Sequence, residues 1–295
     1  MSKQIRGSFL LLLATVIWGS AFIAQSVGME LIGPFTFQAV RCALAVLFLF
    51  PVSFLLDRTQ KSEKTSMQCW LDPQLWKAGL ICGLALFVAA SLQQVGLVYT
   101  DAGKAGFITA MYIVLVPILG MFRKQKPSKT VVLSVLLAVA GLYLLSCLNA
   151  EGINKGDLLV MGCALAFAVQ ITCIDMMGLS LDGVRLNCVQ ALVVCVLSVP
   201  FVLLTETVDW ANIFACRVPL AFAGVMSMGV AYTLQIQGQK DLEPTTASLI
   251  MSLESVFAVL GGWLVLKETM AFHELLGCCL VFVAVILSQL PQNRK

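Results

Sequence analysis

Long apolar runs separated by short polar breaks set the pattern of this chain along its whole length. The runs carry no polar face at the 3.6-residue period, so they read as helices that are apolar all round, and each approaches the ~20 residues a helix needs to cross a bilayer. Cut at charge clusters, glycines and prolines, they predict ten spans: 8–28, 34–56, 75–99, 105–122, 130–149, 156–176, 184–205, 218–236, 245–266 and 274–290. Pro34, Pro73, Pro127, Pro219 and Pro244 sit where helices begin and a missing N–H is harmless. Pro51, Pro117 and Pro200 fall inside spans and predict kinks.

Composition agrees with lipid as the solvent. Of 295 residues 59% are apolar and only 12% are charged, about half the charge of a soluble domain. A soluble fold is excluded. Nucleic acid is excluded as a partner too, because the net charge of +3 comes from small clusters in short loops and not from a basic face. Lys3 and Arg6 precede the first apolar run as in a signal peptide, but that run is too long for an h-region and lacks a small-x-small cleavage site, so it reads as an uncleaved first span. The eleven cysteines, Cys42, Cys82, Cys147, Cys163, Cys195 and the adjacent Cys278 and Cys279 among them, are odd in number and never spaced C-x-x-C. They read as small apolar residues, with neither a disulfide framework nor a metal site expected. His273, at the edge of the tenth span, reads as interfacial.

Fourteen of the nineteen Lys and Arg residues fall in loops on the face of the N-terminus, Lys61, Lys64, Lys126, Arg294 and Lys295 included. Four (Lys104, Lys155, Arg217, Lys267) fall on the other, and Arg41 falls within a span. The positive-inside rule then predicts a multi-pass protein of the cell membrane with both termini cytoplasmic.

Slid by 149 positions, the chain lays Gly7 on Gly156, Gln38 on Asn187, Val40 on Val189 and Pro51 on Pro200. Further on, Asp101 is laid on Asp241 and Pro117 on Ser255. The expected fold is all-α, with ten transmembrane helices as two five-helix repeats, 7–149 and 156–290. Five is odd, so the second repeat is threaded oppositely to the first. An inverted repeat lets one set of contacts build two access states by exchanging the roles of the halves, with the ligand near the bilayer midplane between them.

Trp18-Gly19-Ser20 with Phe22, Arg41 in the second span, Tyr99-Thr100-Asp101-Ala102 through Gly106-Phe107-Ile108, and Ser252-Leu253-Glu254 through Lys267-Glu268 together resemble the EamA-type branch of the drug/metabolite transporter superfamily. The resemblance spans essentially the whole chain, with Ser255 standing where that pattern usually has proline. It implies export of small metabolites, such as amino acids, nucleobase-like or drug-like compounds, more often than import.

Arg41 lies about 12 Å from one end of its span and Glu254 about 15 Å from the other end of its own, at 1.5 Å per residue. A charge at that depth costs at least about 2.5–3.5 kcal/mol on insertion scales, so each needs a partner or water. Three readings stand: the pair neutralises itself across the repeats as a structural lock, Glu254 is simply protonated, or the pair takes part in coupling. Trp18, Gln94, Tyr112, Gln170, Ser227 and Tyr232 are the candidate substrate-binding residues, with Gln93 and Gln235 somewhat off-centre. For each of them a helix-to-helix contact is the alternative. Gly19, Gly83, Gly120, Gly224, Gly229, Gly261 and Gly262 allow close helix approach.

No metalloprotease, nucleophile-elbow or Walker motif occurs, so no enzyme, cofactor or metal is expected. Secondary-active or facilitated transport of a small molecule is the leading expectation. Flipping of a lipid-linked or amphipathic molecule and a non-transporting membrane sensor or scaffold are the alternatives. Proton coupling would rest on Glu254, with Asp175 a weaker candidate, and downhill facilitation is equally compatible. The expected partners are the bilayer, a small-molecule substrate and, for a coupled mechanism, protons. No protein partner is legible.

Overall fold

The computed structural model describes residues 2–59, 65–100, 102–124, 127–146, 153–265 and 271–289. Lys61, Lys64, Asp101, Lys126, Cys147, Lys267, Glu268, Arg294 and Lys295 lie outside them, as do the side chains of Gly261 and Gly262. Each predicted run contains a helix. Among the described residues seven helices are long and apolar enough to cross a membrane: α1 (Lys3–Met29), α2 (Pro34–Arg58), α3 (Pro73–Gly96), α4 (Lys104–Phe122), α6 (Lys155–Gly178), α7 (Gly183–Thr205) and α8 (Arg217–Gln239). Three apolar helices are shorter: α5 (Lys129–Leu144), α9 (Pro244–Leu260) and α10 (Phe272–Ser288). In lipid a backbone has no water to bond, so an apolar run of this length satisfies its N–H and C=O groups as a helix.

Local chemistry places the ends. Ser2 caps α1 by accepting from Ile5 N, and Asp72 caps α3 just before Pro73. Asn154 and Asp157 form a reciprocal capping box at the start of α6. Pro51, Pro117 and Pro200 lie inside helices, as the sequence predicts. The fourth helix of each half is interrupted near mid-depth, α4 at Met111 and α9 at Ser252. Two π-helical stretches, Ile174–Gly178 at the end of α6 and Phe222–Ala231 within α8, widen the bonding locally. Such turns re-aim side chains, and they are frequent at functional sites.

The ten helices interlock across the halves and make few contacts within them. Helix α2 pairs with α7, and α5 with α10. The packing of α1 on α8 has its counterpart in α6 on α3, α1 on α9 in α6 on α4, and α2 on α8 in α7 on α3. Exchanging the halves therefore returns the same set of contacts. Small residues permit the closest approaches: a Cβ on Gly7 would sit 2.9 Å from the Gly238 carbonyl, one on Gly156 2.6 Å from that of Gly96, and one on Gly141 of α5 2.8 Å from that of Gly277 of α10. Where lipid removes the hydrophobic drive between helices, contacts of this kind carry association.

The ends of the α2–α7 pair are closed by polar groups in matching places. Glu206, after α7, accepts from Phe35 N and Thr36 N at 2.8 Å each and from Thr36 Oγ1 at 2.6 Å. At the other end Asp57 accepts from the buried Arg185. The repeat register lays Asp57 on Glu206 and Thr36 on Arg185, so one contact recurs in two chemical forms.

Candidate functional site

A cavity opens where the two halves meet. Its walls come from α1 (Trp18, Phe22, Gln25), α2 (Arg41), α3 (Gln93), α4 (Thr109, Tyr112), α6 (Phe167, Ile171), α8 (Ser227, Tyr232, Gln235) and α9 (Met251, Glu254). The helical period explains the α1 and α6 contributions, because residues three or four apart share a face. The interruptions in α4 and α9 fall beside Tyr112 and Glu254. The cavity and its opening together span about 490 Å³.

Six of the eight sequence-predicted residues meet here: Trp18, Arg41, Tyr112, Ser227, Tyr232 and Glu254. The other two do not reach the cavity. Gln94 turns toward the end of α1, its Nε2 donating to Met29 Sδ at 3.1 Å. Gln170 lies one layer behind, accepting from Gln235 and donating to Gln190 at 3.2 Å each. Asp175 is also away from the cavity, bound by Arg123 Nη1 at 2.7 Å. Gln25, Thr109, Phe167, Ile171 and Met251 were not singled out by the sequence. The repeat register contained part of the signal, since it lays Trp18 on Phe167 and Phe22 on Ile171.

The expected Arg41–Glu254 ion pair is not formed. Arg41 Nη1 donates to Gln25 Oε1 at 2.8 Å, with Phe37 5.9 Å from the guanidinium. Glu254 Oε1 instead accepts from the Tyr112 hydroxyl at 3.1 Å, a contact that does cross the halves. Both charged residues are buried, at 5% and 7% exposure, yet among the described residues neither has an oppositely charged partner. Equal depth brought both to one cavity lining without bringing the two charged groups together.

Three buried polar atoms of the lining are unpartnered: the donors Trp18 Nε1 and Arg41 Nε, and the acceptor Gln235 Oε1. A buried donor or acceptor left alone costs about 1–3 kcal/mol, and more when charged. The unpartnered donors are on α1 and α2, and the unpartnered acceptor is on α8. Trp18 of α1 meets Tyr232 of α8 edge to face at 5.0 Å. No group of three or more potential metal ligands occurs among the described residues.

The sequence pattern of the EamA-like transporter family matches residues 5–147 and again 154–290, nearly the whole chain in two halves. This chain belongs to the EamA-like transporter family. It is a membrane transporter and not an enzyme. An uncharacterized transporter of Archaeoglobus fulgidus is 33% identical over 291 residues, 98% of this chain and 87% of that protein. The uncharacterized transporter YoaV of Bacillus subtilis is 22% identical over 289 residues, 95% of this chain and 96% of that protein. A crystal structure at 16% identity covers 95% of both chains with a TM-score of 0.78, which establishes the shared fold.

Proposed function

We propose that this EamA-like transporter moves a small zwitterionic metabolite with an apolar or aromatic side group, an amino acid being the simplest case, out of the cell by alternating access. The carrying observation is the polar inventory of one cavity: Arg41 and the Trp18 N–H as donors, Glu254 and Gln235 Oε1 as acceptors, with neither charged residue paired to an opposite charge among the described residues. An anion seated at Arg41 and an ammonium at Glu254 would satisfy both charges at once, and Phe22, Phe167, Ile171 and Met251 would hold the side group. The export direction rests on the family resemblance, and the cytoplasmic placement of both termini rests on the Lys and Arg bias of the loops. Residues 7–149 and 156–290 act as the two exchanging units.

A second reading has one observation in its favour. A groove of about 940 Å³ opens sideways between α1, α9 and α10, lined by Ile5, Phe9, Leu12, Ile250, Leu253 and Val285, with Ser2, Gln4, Ser8 and Gln289 at its rim. An amphipathic cargo would suit it. Among the described residues its walls carry no cation for a lipid head group, however.

The test is ligand-dependent stabilisation and counterflow in proteoliposomes with leucine, phenylalanine, their carboxamides and their deaminated acids. The amino acids are expected to bind about 10- to 100-fold more tightly than either derivative, the worth of one charged hydrogen bond. Running counterflow with and without a proton gradient separates coupled transport from facilitation. Equal binding of all three ligand classes, or of none, overturns the zwitterion reading.

A further inference from the structure

One close helix packing occurs twice in the bundle, α1 on α8 and α6 on α3. Toward the face that carries Arg6, α1 meets α8: Gly7 and Gly238 lie backbone to backbone, and Leu11 packs on Gly238, whose added Cβ would sit 2.7 Å from Leu11 Cγ. Toward the opposite face, α6 meets α3: Gly156 lies against Gly96, and Val160 packs on Gly96, whose added Cβ would sit 2.6 Å from Val160 Cγ2. The repeat register lays Gly7 on Gly156 and Leu11 on Val160, so the two packings are equivalent.

A charge pair adjoins each packing. Arg6 grips Asp241 with two bonds, Nε to Oδ2 at 2.7 Å and Nη2 to Oδ1 at 3.0 Å. At the other face Lys104 Nζ lies 2.6 Å from Asp157 Oδ2, Thr100 Oγ1 donates to Asp157 Oδ1 at 2.7 Å, and Lys155 stands over the Tyr99 ring at 5.6 Å. None of these groups touches the cavity, and Asp157 also caps the start of α6 with Asn154.

We propose that the Arg6–Asp241 and Lys104–Asp157 pairs are the latches of two alternating gates, and that the structure, with both latched, is the occluded state. The inference rests on alternating access and is independent of which molecule is carried. The two latches differ in their cations: both aspartates are buried, Asp241 at 4% and Asp157 at 3% exposure, but Arg6 is 56% exposed and Lys104 12%. A pair with its cation in solvent biases an equilibrium by about twofold to fivefold. A desolvated, multiply bonded pair biases it more, so the α1–α8 gate opens first in the resting protein.

The test needs no substrate. Ser227→Cys places a thiol in the cavity, and a cationic, membrane-impermeant methanethiosulfonate is applied to either face of sealed, oriented proteoliposomes, with the parent chain's own rate subtracted. Asp241→Asn is expected to raise labelling about twofold to fivefold from the Arg6 face only. Asp157→Asn is expected to raise it by about tenfold or more from the opposite face only. The exchange Arg6→Asp with Asp241→Arg, measured on protein that stays monodisperse, should return the Arg6-face rate to that of the parent. Unchanged rates, acceleration from the wrong face, or failure of the exchange to restore closure in folded protein would overturn the proposal. Failure of amino acids to bind would leave these labelling rates untouched.

Discussion

Arg41 and Arg185 are both buried arginines of this bundle, and they should answer very differently to the same substitution. Arg185 meets Asp57 and Ser66 and stacks near Trp70, with Asp182 3.6 Å away. Arg41 has one neutral acceptor, Gln25. Replacing Arg185 by Gln strands the Asp57 carboxylate, which is 26% exposed, and should destabilise the protein by about 3 kcal/mol, the low end for breaking a buried pair. Replacing Arg41 by Gln gives up one charged hydrogen bond, worth about 1.5–3 kcal/mol. It also removes a mid-membrane charge whose insertion costs about 2.5–3.5 kcal/mol. These nearly cancel. The empty protein should therefore change by no more than about 1 kcal/mol, while a carboxylate ligand loses about 10- to 100-fold in affinity. Reversible denaturation in mixed micelles, run with and without phenylalanine, reads both quantities. If Arg41→Gln destabilises the empty protein as much as Arg185→Gln does and leaves the ligand shift intact, Arg41 is a structural residue and the reasoning fails.

Tyr112→Phe removes the one side-chain hydrogen bond made to Glu254 among the described residues and should lower stability by about 1–2 kcal/mol. After Glu254→Gln the same Tyr112→Phe change should matter less, a coupling that a double-mutant cycle in denaturant would detect. Gln235→Leu should weaken amino acid binding by about tenfold while Gln94→Leu leaves it unchanged. Equal effects on the two dissociation constants would contradict the assignment of cavity and non-cavity faces on α3 and α8. Glu206→Ala uncovers the first N–H groups of α2 and should lower stability by about 1–2 kcal/mol. No shift of the unfolding midpoint would show that water replaces that cap without penalty.

The spans were legible because lipid imposes one rule on every backbone group, and an apolar run of about 20 residues obeys it only as a helix. The repeat was legible too, through Gly7 and Gly156 or Pro51 and Pro200, since backbone contact and helix geometry restrict these positions. Its register in the rear of each half was harder to read. The partnership of Gly96 with Gly156, and of Gly238 with Gly7, appears only when the halves are packed. Depth could be counted along a helix, and Trp18, Tyr112 and Glu254, counted to similar depth, line one cavity. Direction around the helix could not be counted, because a helix that is apolar all round has no face to orient it. Gln93 and Gln94 show the consequence: neighbours at the same depth, one lines the cavity and the other meets Met29. Arg41 and Glu254 failed to pair for a related reason, because matched depth says nothing about the width of the space between two helices.

The most direct measurement crosses ligand charge with protein charge: dissociation constants for phenylalanine, its carboxamide and its deaminated acid against the parent chain, Arg41→Gln and Glu254→Gln. The account predicts that Arg41→Gln abolishes the advantage of phenylalanine over the carboxamide alone, and that Glu254→Gln abolishes its advantage over the deaminated acid alone. Ligand preferences that stay the same in all three proteins would contradict it.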